Sequence, residues 1–99
     1  MILKMFTVYD SKAEAYLRPF YMNTKGEAIR LFTDMANDQN HQFFKHPEDY
    51  TLFELGDYED TNGSFDLCKT PMAIGKALEF KTQREMFPDT RQIDMKGFG

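Results

Sequence analysis

The chain of 99 residues has no tryptophan, one cysteine and four prolines. A single thiol, Cys68, excludes an internal disulfide framework and a cysteine-rich zinc site. Gly26, Gly56, Gly63 and Gly75 stand apart from one another, so there is no glycine-rich loop to cradle phosphates. No run approaches the ~20 apolar residues of a membrane span. The N-terminal Ile2, Leu3, Met5, Phe6 and Val8 are too few for a secretory signal, interrupted by Lys4 and ended by Asp10. A soluble, intracellular protein with no membrane partner is the expectation. Positive charge is missing from one stretch in particular. Residues 46–68 hold Glu48, Asp49, Glu54, Asp57, Glu59, Asp60 and Asp66 and no Lys or Arg. That segment carries −7 in a chain of −4, which leaves +3 for the rest, 12 basic against 9 acidic residues.

Apolar side chains are plentiful. They make up 41% of residues, with ten Phe and five Tyr, enough for a core and against global disorder. A domain this small buries only about 60% of the surface its unfolded chain exposes, so dimerisation would add useful burial. Seven Met and no Trp predict an adaptable interior. One domain is expected over residues 1–86, followed by a loosely ordered tail over 87–99, polar and ended by glycine, with Ile93, Met95 and Phe98 as docking points.

Residues 2–9 predict a strand. Ile2, Phe6 and Val8 share a face with Lys4; Leu3, Met5, Thr7 and Tyr9 share the other, and two apolar faces suit a central strand. Residues 10–22 predict a turn and an irregular loop, because Pro19 disfavours helix at Arg18. Thr24-Lys25-Gly26-Glu27 fits a capping box opening a helix with Ala28, Phe32, Met35 and Ala36 on its inner stripe. The acidic stretch predicts a β-hairpin, Tyr50–Tyr58 and Ser64–Cys68, joined at Asn62-Gly63 by a type I′ turn. In it Thr51, Phe53 and Leu55 fall on one face and Tyr50, Leu52 and Glu54 on the other, and Gly56 marks a bulge. Thr70-Pro71 predicts a second helix start, although Gly75 weakens it and Ile74, Leu78 and Phe80 also fit strand alternation. The expected fold is α+β, in the order β-α-β-β-α: a three-stranded antiparallel sheet, helices packed on one face, as a homodimer.

Chemistry is sparse. His41 and His46 near Asp38, Glu48 and Asp49 match no metal-ligand spacing, and solvated loop residues are the better account. Cys68 has no helix N-terminus or basic cluster beside it, so a half-buried strand cysteine is expected rather than a nucleophile. The hairpin acids read as a solvated face rather than a Mg²⁺ or acid–base cluster. No enzyme, cofactor or resident metal is expected. What remains is an aromatic-basic constellation: Tyr9, Lys12, Tyr16, Arg18, Phe20, Tyr21, Lys25 and, on the helix, Arg30. Single-stranded nucleic acid is held by bases stacked on rings while cations follow the backbone. The competing account packs Tyr16, Phe20 and Tyr21 under the loop.

The runs Tyr9-Asp10-Ser11-Lys12-Ala13, Tyr16-Leu17-x-Pro19-Phe20, Gly26-Glu27-Ala28-Ile29-Arg30, Asn37-Asp38 and Lys45-His46-Pro47-Glu48-Asp49-Tyr50-Thr51-Leu52-Phe53 resemble the small nonstructural protein of gokushoviruses, single-stranded DNA phages of the microvirus group. The likeness covers about residues 3–81 and runs to Ile74-Gly75-x-Ala77. It implies a phage protein of the host bacterial cytoplasm, absent from the capsid, DNA-binding and tied to replication around the switch to packaging single-stranded genomes. It brings no catalytic residues and no established DNA-contacting motif. Two functions follow as expectations. One is a dimer that binds single-stranded DNA through residues 9–25. The other is a non-enzymatic adaptor that recruits the viral replication initiator or a host replication protein through Glu54, Asp57, Glu59 and Asp60.

Overall fold

The computed structural model describes the backbone of residues 1–85 and the side chains as far as Lys81. The expected tail over 87–99 therefore lies outside the described residues. Five antiparallel strands form one sheet: β1 (Ile2–Asp10), β2 (Ala15–Tyr16), β3 (Phe20–Met22), β4 (Tyr50–Glu59) and β5 (Ser64–Lys76). Helix α1 (Lys25–Ala36), the single turn α2 (Gln42–Lys45), a 3-10 turn over Pro47–Asp49, and α3 (Ala77–Glu85) complete the fold. The α+β class stands, but the sheet has five strands rather than three.

β1 is central. One of its edges pairs with β4 along its whole length, from Ile2 opposite Glu59 to Asp10 opposite Tyr50. Its other edge takes the two short strands, Tyr9 opposite Tyr16 and Met5 opposite Tyr21. The predicted loop over residues 16–22 thus folds back as two strand fragments. Thr7, 2% exposed, donates its hydroxyl to the Leu17 carbonyl at 2.7 Å, and the Leu17 N–H donates to the Val8 carbonyl at 2.8 Å. Both bonds hold the loop to the strand edge.

The core lies between one face of the sheet and the helices. Phe6, Val8 and Leu52 from the strands meet Ala28, Phe32 and Ala36 of α1, with Phe43 and Ala77 closing the ends. Phe32 touches Phe43 and Phe80 with ring centroids 5.3 and 5.7 Å apart, which joins all three helices. The predicted capping box forms at α1: Thr24 Oγ1 accepts the Glu27 N–H at 3.2 Å, and Glu27 Oε1 accepts the Asn23 N–H at 3.1 Å.

Two local expectations are corrected. The turn at Asn62-Gly63 is not type I′. Glu59 pairs with Ser64, so the loop has four residues; only Gly63 has positive φ (75°), and its N–H donates to the Glu59 carbonyl. A type I′ turn needs positive φ at both central residues, and here Asn62 uses its side chain instead, accepting from the Ser64 N–H at 3.0 Å. The predicted helix from Thr70 also fails over its first half. Residues 70–76 extend β5, and α3 begins only at Ala77. Pro71 is tolerated because β5 is an edge strand and is irregular there. Leu67 pairs with Gly56 and Met72 with Glu54, so Cys68–Pro71 bulge opposite the single residue Leu55. The bulge expected at Gly56 is present: its φ is 147°, and against β1 Glu54 pairs with Phe6 and Gly56 with Met5, which makes Leu55 the extra residue.

Candidate nucleic-acid interface

The helices cover one face of the sheet. Strand alternation sends a second set of side chains to the other face, where none of the described helices packs. That set is aromatic. Near the β1–β2 hairpin, the Tyr9 and Tyr16 rings meet at a 55° tilt with centroids 4.8 Å apart, and Phe53 meets Tyr16 edge-on at 5.7 Å. Toward the β4–β5 loop, Tyr21, Tyr58 and Phe65 form a second row, with centroids 5.6 and 5.1 Å apart. Tyr16 is 51% exposed and Tyr21 43%, so both present surface to a ligand. Two lysines flank the first row. Lys76 is registered opposite Thr51, which in turn lies opposite Tyr9. Lys12 occupies the turn between β1 and β2, where its N–H and that of Ala13 donate to Asp10 Oδ1.

The eight residues proposed from sequence divide between the two sides. Tyr9, Lys12, Tyr16 and Tyr21 belong to the ring face and its rim. Phe20 turns the other way and packs on Phe6, with centroids 5.8 Å apart. Lys25 and Arg30 are exposed on α1, in the helical layer behind the sheet. Arg18 is exposed at the mouth of a helix-side groove of about 440 Å³ that it lines with Phe20, Met35, His41, Phe43 and Tyr50. Burial, with Asp10 and Asp49 nearby, raises the Tyr50 phenol above its ordinary value. Three ring-face aromatics, Phe53, Tyr58 and Phe65, were missed, as was Lys76. The alternation that places Phe53 opposite the core is readable from sequence, but its meeting with Tyr16 depends on β1 lying between β4 and β2.

The acidic residues proposed for protein contacts are partly engaged within the chain. Asp57 Oδ1 accepts from Lys4 Nζ at 3.1 Å, which raises the lysine above its ordinary value. The Met1 amine donates to Glu59 Oε2 at 2.7 Å and Asp60 Oδ1 at 2.8 Å. That amine, together with the Thr61 hydroxyl and N–H, lowers Glu59 to about 2. Asp57 and Asp66 pair across the hairpin on the face opposite the rings, and Glu54 lies on that face with Met72.

Among the described residues no cluster of His, Cys, Asp or Glu is arranged to hold a metal, and no helix is long and apolar enough to cross a membrane. His41 spends Nδ1 accepting the Phe43 N–H at 3.1 Å, as the cap of α2. No curated protein and no solved structure matches the chain. A family model described as Phage ORF5 protein matches residues 3–80, from the start of β1 into α3. The match takes in both rows of rings and the acidic hairpin, and on it this chain belongs to the Phage ORF5 protein family of bacteriophage proteins.

Proposed function

We propose that the protein is a non-enzymatic phage nonstructural protein that binds single-stranded DNA during genome replication, around the switch to packaging. The observation that carries this reading is the uncovered row of Tyr9, Tyr16 and Phe53 beside Lys12 and Lys76. Every base has a π-face, so exposed rings on a sheet accept unpaired bases regardless of sequence, while flanking lysines follow the phosphates. Duplex DNA hides its bases in the stack and gains only the lysine contacts from such a surface. The resemblance to the gokushovirus nonstructural protein points the same way, and membership of a phage family agrees with it.

The test is fluorescence anisotropy with labelled single-stranded and duplex DNA over a range of salt. Single strands should bind more tightly, and affinity should fall as salt rises because bound cations release counterions. Tyr16→Ala should cost about 1–3 kcal/mol, the usual loss per stacked base. Lys12→Ala with Lys76→Ala should reduce the salt slope for single strands by about 1.4. Arg18→Ala should have a smaller effect than Tyr16→Ala, since Arg18 opens toward the helical side.

The adaptor reading is favoured by a different observation, the segregation of Glu54, Asp57 and Asp66 onto one side of the hairpin. Absence of DNA binding at low salt, with capture of a replication protein abolished by neutralising Glu54 and Asp57, would select it.

A further inference from the structure

The second row of rings borders a groove of about 470 Å³ on the ring face, lined by Met5, Tyr21, Leu55, Phe65, Leu67 and Cys68 together with Pro19 and Pro71. None of these eight residues is charged. Phe65 and Leu67 are 58% and 64% exposed, unusual for two large apolar side chains on neighbouring same-face positions of one strand. Strands β1, β4 and β5 behave differently on their reverse side. There Lys4 pairs with Asp57, and Asp66 stands opposite Asp57. This end of the sheet therefore keeps its paired ions off the ring side, and none of the described helices covers the groove.

We infer that the groove is the interface between two copies of this chain, packed ring face to ring face about a two-fold axis through the Tyr21–Phe65–Leu67 end of the sheet. It goes beyond the DNA-binding reading and does not rest on it. A two-fold contact brings a patch against itself, so every charge would meet its own kind. A patch without charge escapes that penalty, and one carried on a hairpin of −7 can do so only if the acids face away, as Asp57 and Asp66 do. A foreign protein recognised by charge would instead find ions in or around the groove, and its lining offers none. The size also fits a small interface. Two half-exposed rings, Leu67 and the groove floor present on the order of a few hundred Å² of apolar surface. Doubling by symmetry stays below the ~1,200 Å² lower bound of standard interfaces, the size of a weak, reversible dimer. Centred here, the contact leaves the Tyr9–Tyr16–Phe53 row of each copy outside the overlap, one at each end.

Sedimentation equilibrium across a dilution series is the test, with the rate of Cys68 labelling by a water-soluble disulfide as a second readout. The chain should run at twice 11.6 kDa and label slowly. Leu67→Lys should shift the dimer constant about thirtyfold or more toward monomer and speed labelling, since each substitution enters the interface twice. The side chain is largely outside the fold, so the variant should keep the parent's far-UV spectrum, and its melting point at dilutions where both are monomers. Met72→Lys is the matched control: Met72 is also 58% exposed but lies on the opposite side, opposite Glu54. A monomer throughout, or equal weakening by Met72→Lys, overturns the inference. So does a monomer whose Cys68 is protected only on adding oligothymidylate, which would put DNA in the groove. Protection in a monomer without DNA overturns it too, and points to residues beyond Glu85 as the cover.

Discussion

Single residues carry more constraint here than their identity alone conveys. Gly56 has φ of 147°, and a Cβ there would collide with the Asp66 carbonyl oxygen and lie 2.7 Å from Leu67 Cα. Backbone atoms cannot swing aside as a side chain would. Gly56→Ala should therefore destabilise the fold by about 2–3 kcal/mol, read as a drop in urea midpoint at constant slope. Glu59 makes a different prediction. Its folded value of about 2 lies below the ordinary 4.5, so its contribution is fully present above about pH 4.5 and is lost as pH falls toward 2. The Met1 amine is raised above 8.0, so its share is present below pH 8 and fades as pH rises through the folded value. Carbon-detected NMR should show Glu59 titrating near 2, and acetylation of the Met1 amine should move that midpoint toward 4.5. The bulging glycine could be foreseen, because a glycine inside an alternating strand has few other uses. The clamp at Glu59 could not, because it joins residues 58 positions apart.

Among the elements, α1 was the most legible: its cap, its first-turn acid and its Ala28-Phe32-Ala36 stripe all agree with one another. Thr24→Ala should cost about 1 kcal/mol in thermal or chemical denaturation, the usual loss on removing an N-cap hydroxyl. Residues 70–76 show why the next element was misread. Thr70-Pro71 is a sound helix start locally, but β4 offers a free edge, and pairing with it outweighs a marginal helix containing Gly75. The glycine serves the strand's end instead: a Cβ would come within 3.0 Å of the Phe80 ring, so Gly75 lets α3 fold close against β5. Residues 16–22 failed for the opposite reason. Strands of two and three residues carry no periodicity, and only β1 beside them makes them strands.

For the molecule as a whole, the uneven charge seen in sequence becomes geometry: acids on one side of the hairpin, rings on the other, cations divided between the rim and the helical layer. The division of the eight proposed contact residues between two sides was not legible, because position along a chain does not tell which side of a sheet a loop will cross. Long-range repulsion from the hairpin should slow DNA association. Replacing Glu54, Asp57 and Asp66 by their amides should raise the stopped-flow association rate at low salt, with the gain disappearing as the Debye length falls below ~8 Å. An unchanged rate would mean that the DNA approaches from a side screened from those acids.

The bulge of Cys68–Pro71 opposite Leu55 has a mechanical consequence. Regular pairing stops there and resumes beyond it, so the sheet consists of a helix-backed half and a bare half joined at a fault. Opening that begins at the Asn62–Gly63 loop can travel back to the fault and halt, leaving Leu52 and Phe6 shut. Amides of residues 57–66 should exchange with solvent by such partial opening, and that of Leu52 only when the whole chain unravels.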